Sequence, residues 1–362
     1  MNKFKLISAL SGTAILSVVP LVTTACDNGS KPSPEPEPED KRNYIVYDGQ
    51  TEYFDFTFDQ RDIDFLGVSN SKFYIKGKEC NVASLSEIYI KNTEGVTAIP
   101  NSFLSGCTHL TTINLSGLNN IKTIGDSFLQ NCSGLEKLDM STIGNVETVG
   151  NSFLSGCSRL SNLNINSLKK VKSINQSFLS GCTSLEQIDL SGWSNVLSIG
   201  TYFMNGCSKL SNVKMSGWTS VATINDYMFY NCTSLKTLDM SNMSSLTTIQ
   251  SYFLRELTSL TSINVSGWTS IATIPQAFMY KCSSITSVNI SSWTSVTYIS
   301  SSFLNSCTSL TTLYVPFCTP PRTNESGQYA LPSNITTIHC GSYLSDYKQS
   351  SYWSYNSSKM VY

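Results

Sequence analysis

The sequence predicts a repeat solenoid, a stack of short turns with a parallel β-sheet on one face and short β or helical turns on the other. Three observations carry this. One apolar pattern recurs from residue 85 onward with a period of 25 residues and no slip of phase. A second set of apolar columns recurs with the same period in the other half of each unit. Cysteine and tryptophan fall at fixed places within the period. Self-similarity at a period of this length marks units that bury their apolar faces only by stacking.

The strand-like part of each unit reads L-x-x-I-x-L. It appears as Leu110, Ile113, Leu115, then Leu135, Leu138, Met140, then Leu160, Leu163, Ile165, and runs on to Leu310, Leu313, Val315. Leu85, Ile88, Ile90 precede the series in register and Ile335, Ile338, Cys340 follow it, for eleven passes in all. The I-x-L alternation places two side chains inward and leaves the residue between them facing out. Strands stacked at ~4.8 Å give an array about 50 Å long. The other half carries Ile121 and Ile124, Val146 and Val149, and their successors, followed by pairs such as Phe103-Leu104 and Phe128-Leu129. A cysteine usually stands four residues past the aromatic one. That spacing predicts a single helical turn with both side chains on one face.

The run Ser102-Phe103-Leu104-Ser105-Gly106-Cys107-Thr108-His109-Leu110-Thr111-Thr112-Ile113-Asn114-Leu115 resembles the BspA-like leucine-rich repeats of bacterial surface proteins. The resemblance covers about residues 85–362, so the solenoid is expected to be a leucine-rich-repeat one. The tail from Ile338 through Tyr347-Lys348 to Trp353 is similar to that family's closing segment, with Cys340-Gly341 in place of its V-P. The resemblance implies a surface adhesin or extracellular binding protein, with host matrix proteins among the ligands of some members.

Residues 1–25 read as a lipoprotein signal peptide. Lys3 and Lys5 precede a mostly apolar run, Leu6 to Val22, that Ser8, Ser11, Gly12 and Pro20 interrupt. Thr23-Thr24-Ala25-Cys26 resembles a lipobox, which makes Cys26 the lipidation site, although Thr23 stands where the strictest form has Leu. Residues 26–42 follow as a tether whose alternating Pro and Glu, Pro32 to Asp40, favour an extended, self-repelling chain. Residues 43–84, with Tyr53-Phe54-Asp55-Phe56-Thr57-Phe58, read as a β-rich N-terminal cap. The array occupies 85–340, and 341–362 form a C-terminal cap in which Tyr343, Tyr347, Tyr352, Tyr355 and Tyr362 cover the last repeat.

Twelve cysteines in an exported chain raise the question of disulfides or metal. Eight of them, from Cys107 to Cys307, share one column, and Leu257 fills it at the single break. Leucine replaces a small buried hydrophobe but neither a ligand nor a disulfide partner, so these are expected to be core thiols. Cys318 and Cys340 fall in otherwise apolar columns and are expected to be buried too. No C-x-x-C exists and only His109 and His339 are present, so no metal and no cofactor are expected. Trp193, Trp218, Trp268 and Trp293 form another column that Leu118, Ile143, Leu168 and Met243 fill elsewhere, which predicts burial.

The outward strand column is the candidate ligand surface: Asn114, Asp139, Asn164, Asp189, Lys214, Asp239, Asn264, Asn289 and Tyr314. A serine-rich column, including Ser116, Ser141 and Ser191, runs beside it. Regular small polar groups suit an extracellular protein or glycan, and they also suit a merely soluble surface. The three aspartates recur every second repeat, about 10 Å apart, too far to share one calcium ion. With 24 basic and 25 acidic residues the chain has no basic excess, so nucleic-acid binding is not expected. No nucleophile elbow, P-loop, zinc-helix or dinucleotide motif occurs, and no enzyme is expected. The expected function is a surface-anchored, adhesin-like binding protein held at the membrane by its lipid. The competing readings are a coat lipoprotein without a specific ligand and a nutrient-capture partner of a transporter, which would need a closed pocket.

Overall fold

The structure is a computed structural model that describes residues 42–323 and 331–362. The expected signal peptide 1–25, the lipidation site Cys26 and the tether up to residue 41 lie outside the described residues. Residues 41–362 group as one compact unit, and their apolar side chains form one continuous core. A core of its own is what that unit needs to fold without the preceding segment.

Each repeat contributes a three-residue strand and, further on, a two-residue strand. The longer ones run from Leu85–Tyr89 and Thr112–Asn114 to Thr337–His339 and make the eleven passes that the periodicity predicts. Their central residues, such as Leu138 and Ile188, point into the core and the flanking ones point out. The two-residue strands, Ala98–Ile99 to Arg322–Thr323, build a second parallel ladder and supply the β part of the opposite face. Register is kept by the core, because a slip of one residue would turn every inward side chain to solvent.

The longer strands pair mostly by twos. Residues 137–139 pair with 162–164, 187–189 with 212–214, and 237–239 with 262–264. A hydroxyl reinforces each closed junction. Ser161, Ser211 and Thr261 donate from Oγ to the carbonyls of Glu136, Glu186 and Lys236 at 3.4, 3.1 and 3.0 Å. Glu136, Glu186 and Lys236 occupy the same position before three of the open junctions, and they have no hydroxyl to give. Thr286 has one at a fourth open junction, so the hydroxyl alone does not decide pairing.

Where the Phe–Cys spacing predicts a helical turn, the regular repeats have instead a turn in which every second residue is left-handed. In nine repeats three alternate residues take positive φ, for example Ser152 (56°), Leu154 (54°) and Gly156 (78°). The alternation aims successive N–H groups at opposite neighbours. Ser152 N donates forward to Gln176 O at 2.7 Å, Leu154 N back to Phe128 O at 2.9 Å, and Gly156 N forward to Ser180 O at 2.7 Å. A left-handed residue other than glycine costs ~1–2 kcal/mol. These inter-repeat bonds and the full burial of Phe153 and Leu154 offset it.

Both predicted core columns are buried, and each also carries hydrogen bonds. The Cys132, Cys157 and Cys182 thiols donate to the carbonyls of Leu104, Leu129 and Leu154 at 3.1, 3.1 and 3.2 Å. The Trp193, Trp218, Trp268 and Trp293 indoles donate to Ile165, Leu190, Met240 and Val265 carbonyls at 3.3, 3.0, 3.0 and 3.1 Å. Each bond reaches back 28 residues, so one geometry satisfies both donors. Phenylalanines 103, 128, 153 and 178 stack beside them at 5.5, 5.2 and 5.1 Å. All cysteines of the described residues are free, and Cys318 is only half-buried, against expectation, because Pro316 to Pro321 leave the strand path. A thiol reagent applied to the native protein near neutral pH should therefore modify Cys318 and spare the column; labelling of Cys157 or Cys182 without unfolding would contradict this packing.

The N-terminal cap begins with a hairpin, Asn43–Tyr47 with Gln50–Phe54, turned by Asp48 and Gly49 at φ 50° and 72°, and continues with the helix Gln60–Asp64 and a second hairpin, Lys72–Ile75 with Lys78–Asn81. The first hairpin pairs antiparallel onto Leu85–Tyr89 and so extends the sheet of longer strands. Buried Asn43 locks the junction: its Oδ1 accepts from Lys91 N and Asn92 N, and its Nδ2 donates to Phe56 O and Asn92 O. At the other end the helix Leu344–Gln349 covers the last turn. Tyr347 Oη donates to Pro316 O at 2.8 Å and Trp353 Nε1 to Pro321 O at 2.9 Å. Tyr343 and Tyr352 pack half-buried against the core, whereas Tyr355 and Tyr362 do not share that duty and are 85% and 81% exposed.

Candidate ligand face

The nine candidate residues do form one outward column. Register sets Asp139 beside Asn164, Asp189 beside Lys214, Asp239 beside Asn264, and Asn289 beside Tyr314. Seven of them first serve the backbone. Oδ1 of Asn114, Asp139, Asn164, Asp189, Asp239, Asn264 and Asn289 each accepts from the amide two residues on, which ends the strand in an Asx turn. The serine column is the partner in that turn. Ser191, Ser241 and Ser291 add a hydroxyl bond to the same oxygen at 2.6, 2.7 and 2.7 Å. The turn fixes each side chain and frees its second polar atom, Oδ2 or Nδ2, for other partners; Asn164 Nδ2 donates to Asp139 Oδ1 at 2.9 Å.

Lys214 and Tyr314 break the pattern. Lys214 Nζ lies 3.7 Å from Asp189 Oδ2. The Ser191 hydroxyl, its amide and Lys214 together hold the Asp189 carboxyl below the usual carboxylate range, the hydroxyl most of all. This pair stands between two hollows. One, of about 420 Å³, lies at the open junction and is floored by Leu163 and Ile188 with Asn162, Asn164, Gln187 and Asn212 around it. The other, of about 380 Å³, is bounded by Ser216, Asp239 and Asn242. Asp189 and Lys214 line both. The face thus offers a row of oriented donors and acceptors with two hollows beside one ion pair. No group of three or more potential metal ligands occurs among the described residues.

A family model described as the BspA type leucine rich repeat region matches the chain in six copies, over residues 74–211 and 197–323. The chain belongs to the BspA-type leucine-rich-repeat family. Repeats of this family are typical of surface and protein-interaction proteins, and the solenoid is an interaction scaffold rather than an enzyme fold. Among solved structures, a leucine rich cell surface protein of Faecalibacterium prausnitzii is 16% identical, with 86% of this chain and 92% of that one covered and a TM-score of 0.36. A leucine-rich repeat protein of Bacteroides ovatus is 17% identical, with 90% and 99% covered and a TM-score of 0.33. One from Eubacterium ventriosum is 16% identical, with 70% and 80% covered and a TM-score of 0.37. No curated protein matches the chain.

Two aromatic features of this BspA-type chain escape a reading of the columns alone. The hairpin and first pass bring Tyr53, Tyr44 and Tyr89 into line with Asn114 at the start of the row. On the turn side, Tyr202, Tyr227 and Tyr252 stack at 4.9 and 4.7 Å where most repeats have serine. Arg255 lies 5.5, 5.5 and 4.9 Å from the rings of Tyr230, Tyr252 and Tyr280. Three tyrosines in one serine column were the available signal.

Proposed function

We propose that this chain is an adhesin-like binding protein of the bacterial surface, anchored through lipidated Cys26, that takes extracellular protein or glycan ligands on its outward strand column. The observation that carries the reading is the Asp189–Lys214 pair and the two hollows it lines on an otherwise regular face. Ordinary solubility asks for neither a departure from the Asn/Asp pattern nor relief beside it. No helix among the described residues is long and apolar enough to cross a membrane, and Cys26 supplies the attachment in this reading. A surface anchor makes many weak contacts act together.

Residues 42–362 applied to an array of matrix proteins and glycans should bind one class saturably, and Asp189→Asn, which keeps the turn acceptor, with Lys214→Ala should weaken that binding at least tenfold, ~1.4 kcal/mol, without lowering the melting temperature. Binding to nothing would favour the coat-protein alternative. One observation speaks for that alternative: seven of the nine column residues already have a backbone duty in Asx turns. Palmitate incorporation that persists in Cys26→Ala would overturn the anchor.

A further inference from the structure

We infer that the outward row is a trough for a neutral, hydroxyl-rich glycan chain lying along the solenoid axis, walled at its two ends by the rings of Tyr89 and Tyr314. The inference rests on the strand-face reading above and narrows its ligand class.

The walls come from stacking between neighbouring strands. Tyr89 is backed by Tyr44, with ring centroids 4.0 Å apart and planes 15° from parallel. Tyr314 is backed by His339 at 4.3 Å and 8°. Tyr44 is on the strand before Tyr89 and His339 on the strand after Tyr314, so the other face of each ring turns toward the polar row. The backing is itself held: the Tyr53 ring lies 5.3 Å from that of Tyr44, and His339 Nδ1 is 3.1 Å from Tyr362 O. An aromatic face closing each end of a polar groove suits the C–H edge of a terminal sugar.

Between the walls stand eight outward residues, Asn114 to Asn289, one per strand. Seven of them spend Oδ1 on a turn, which leaves Oδ2 on the aspartates as an acceptor and Nδ2 on Asn114, Asn264 and Asn289 as a donor, while Asn164 Nδ2 donates to Asp139 Oδ1 at 2.9 Å. Hydroxyl groups both give and take hydrogen bonds and satisfy such a mixed row. A polyanion does not suit it, because Asp139, Asp189 and Asp239 face it and Lys214 is already beside Asp189. Spacing separates a glycan from an extended peptide. Across its hydrogen-bonded pairs the row advances ~4.8 Å per residue, whereas a peptide strand presents same-face side chains about 6.8 Å apart and drifts out of step. A β-linked pyranose chain repeats close to the spacing of the row.

The test is calorimetric titration of residues 42–362 with neutral β-linked glucose oligosaccharides of increasing length. Affinity is expected to rise with length, to level off at about eight sugars, one per strand, and to be insensitive to salt. Tyr89→Asn and Tyr314→Asn install the residue that the same column carries in other repeats, so the fold is kept, and the pair is expected to cost at least tenfold in affinity with the melting temperature unchanged. Three results overturn the inference. Preference for heparin with loss of binding in high salt refutes the neutral class. Binding that ignores both tyrosines refutes the walls. No sugar binding, with a matrix protein bound and weakened by Asp189→Asn, refutes the glycan and leaves the strand-face reading standing; if that protein is also indifferent to Asp189→Asn, both fail.

Discussion

Stability should fall steeply as the pH rises from about 9 toward about 12. The unfolded chain gives up its thiol protons near 9, whereas burial holds Cys107, Cys157 and Cys307 neutral until about 12. Burial also pushes Cys132, Cys182, Cys232 and Cys282 well above the ordinary value. Below pH 9 native and unfolded thiols bind the same protons and nothing is lost. Above it the unfolded state gains stability by ionising and the native state does not. Three such groups cost roughly 4 kcal/mol for each pH unit in that window. Urea midpoints measured across it should drop far more in the natural protein than in a variant with Cys107, Cys157 and Cys307 replaced by alanine. Equal slopes would mean that the thiols are not held neutral.

Trp218→Ala should be the most damaging single change in the array, at about 3–5 kcal/mol. The indole is fully buried, donates to Leu190 O at 3.0 Å, and meets the Phe203 ring edge-on at 5.8 Å. Alanine leaves a cavity and deprives that carbonyl of its side-chain donor. Trp218→Leu should cost about half as much, since Leu118 and Leu168 fill the same column elsewhere. Chemical unfolding of both variants checks this. A loss below ~1 kcal/mol for the alanine variant would show that neighbouring repeats collapse into the space.

Much of this architecture is legible in the sequence, and the exceptions have physical causes. The eleven passes are plain because Leu, Ile and Val positions cannot drift without exposing the core. The cysteine and tryptophan columns are legible because aliphatic residues replace them at Leu257, Leu118 and Met243. The left-handed turn is not, since a spacing of four between Phe153 and Cys157 fits a helical turn equally well. Its signal is the residue before the cysteine: Gly106, Asn131, Gly156, Gly181, Gly206 and Asn231 are types that tolerate positive φ.

For the candidate face, the column was legible as outward but its backbone duty was not. Asp189 and Ser191 read as two neighbouring polar columns, yet together they make one Asx turn. The hollow beside Asp189 depends on which strands pair, and every repeat shows the same strand pattern. The aromatic wall at Tyr89 needs Tyr44, which only the antiparallel register of the hairpin brings to it. The turn-side tyrosines around Arg255 make a second aromatic cluster away from the strand row.

Hydrogen exchange of residues 42–362, with and without the tightest ligand from the array, tests the central claim most directly. Slower exchange along the strands from 137–139 to 287–289, greatest beside Asp189 and Lys214, is the predicted result. Protection confined to the left-handed turns around Tyr227 and Arg255 would contradict it and move the binding site to the opposite flank.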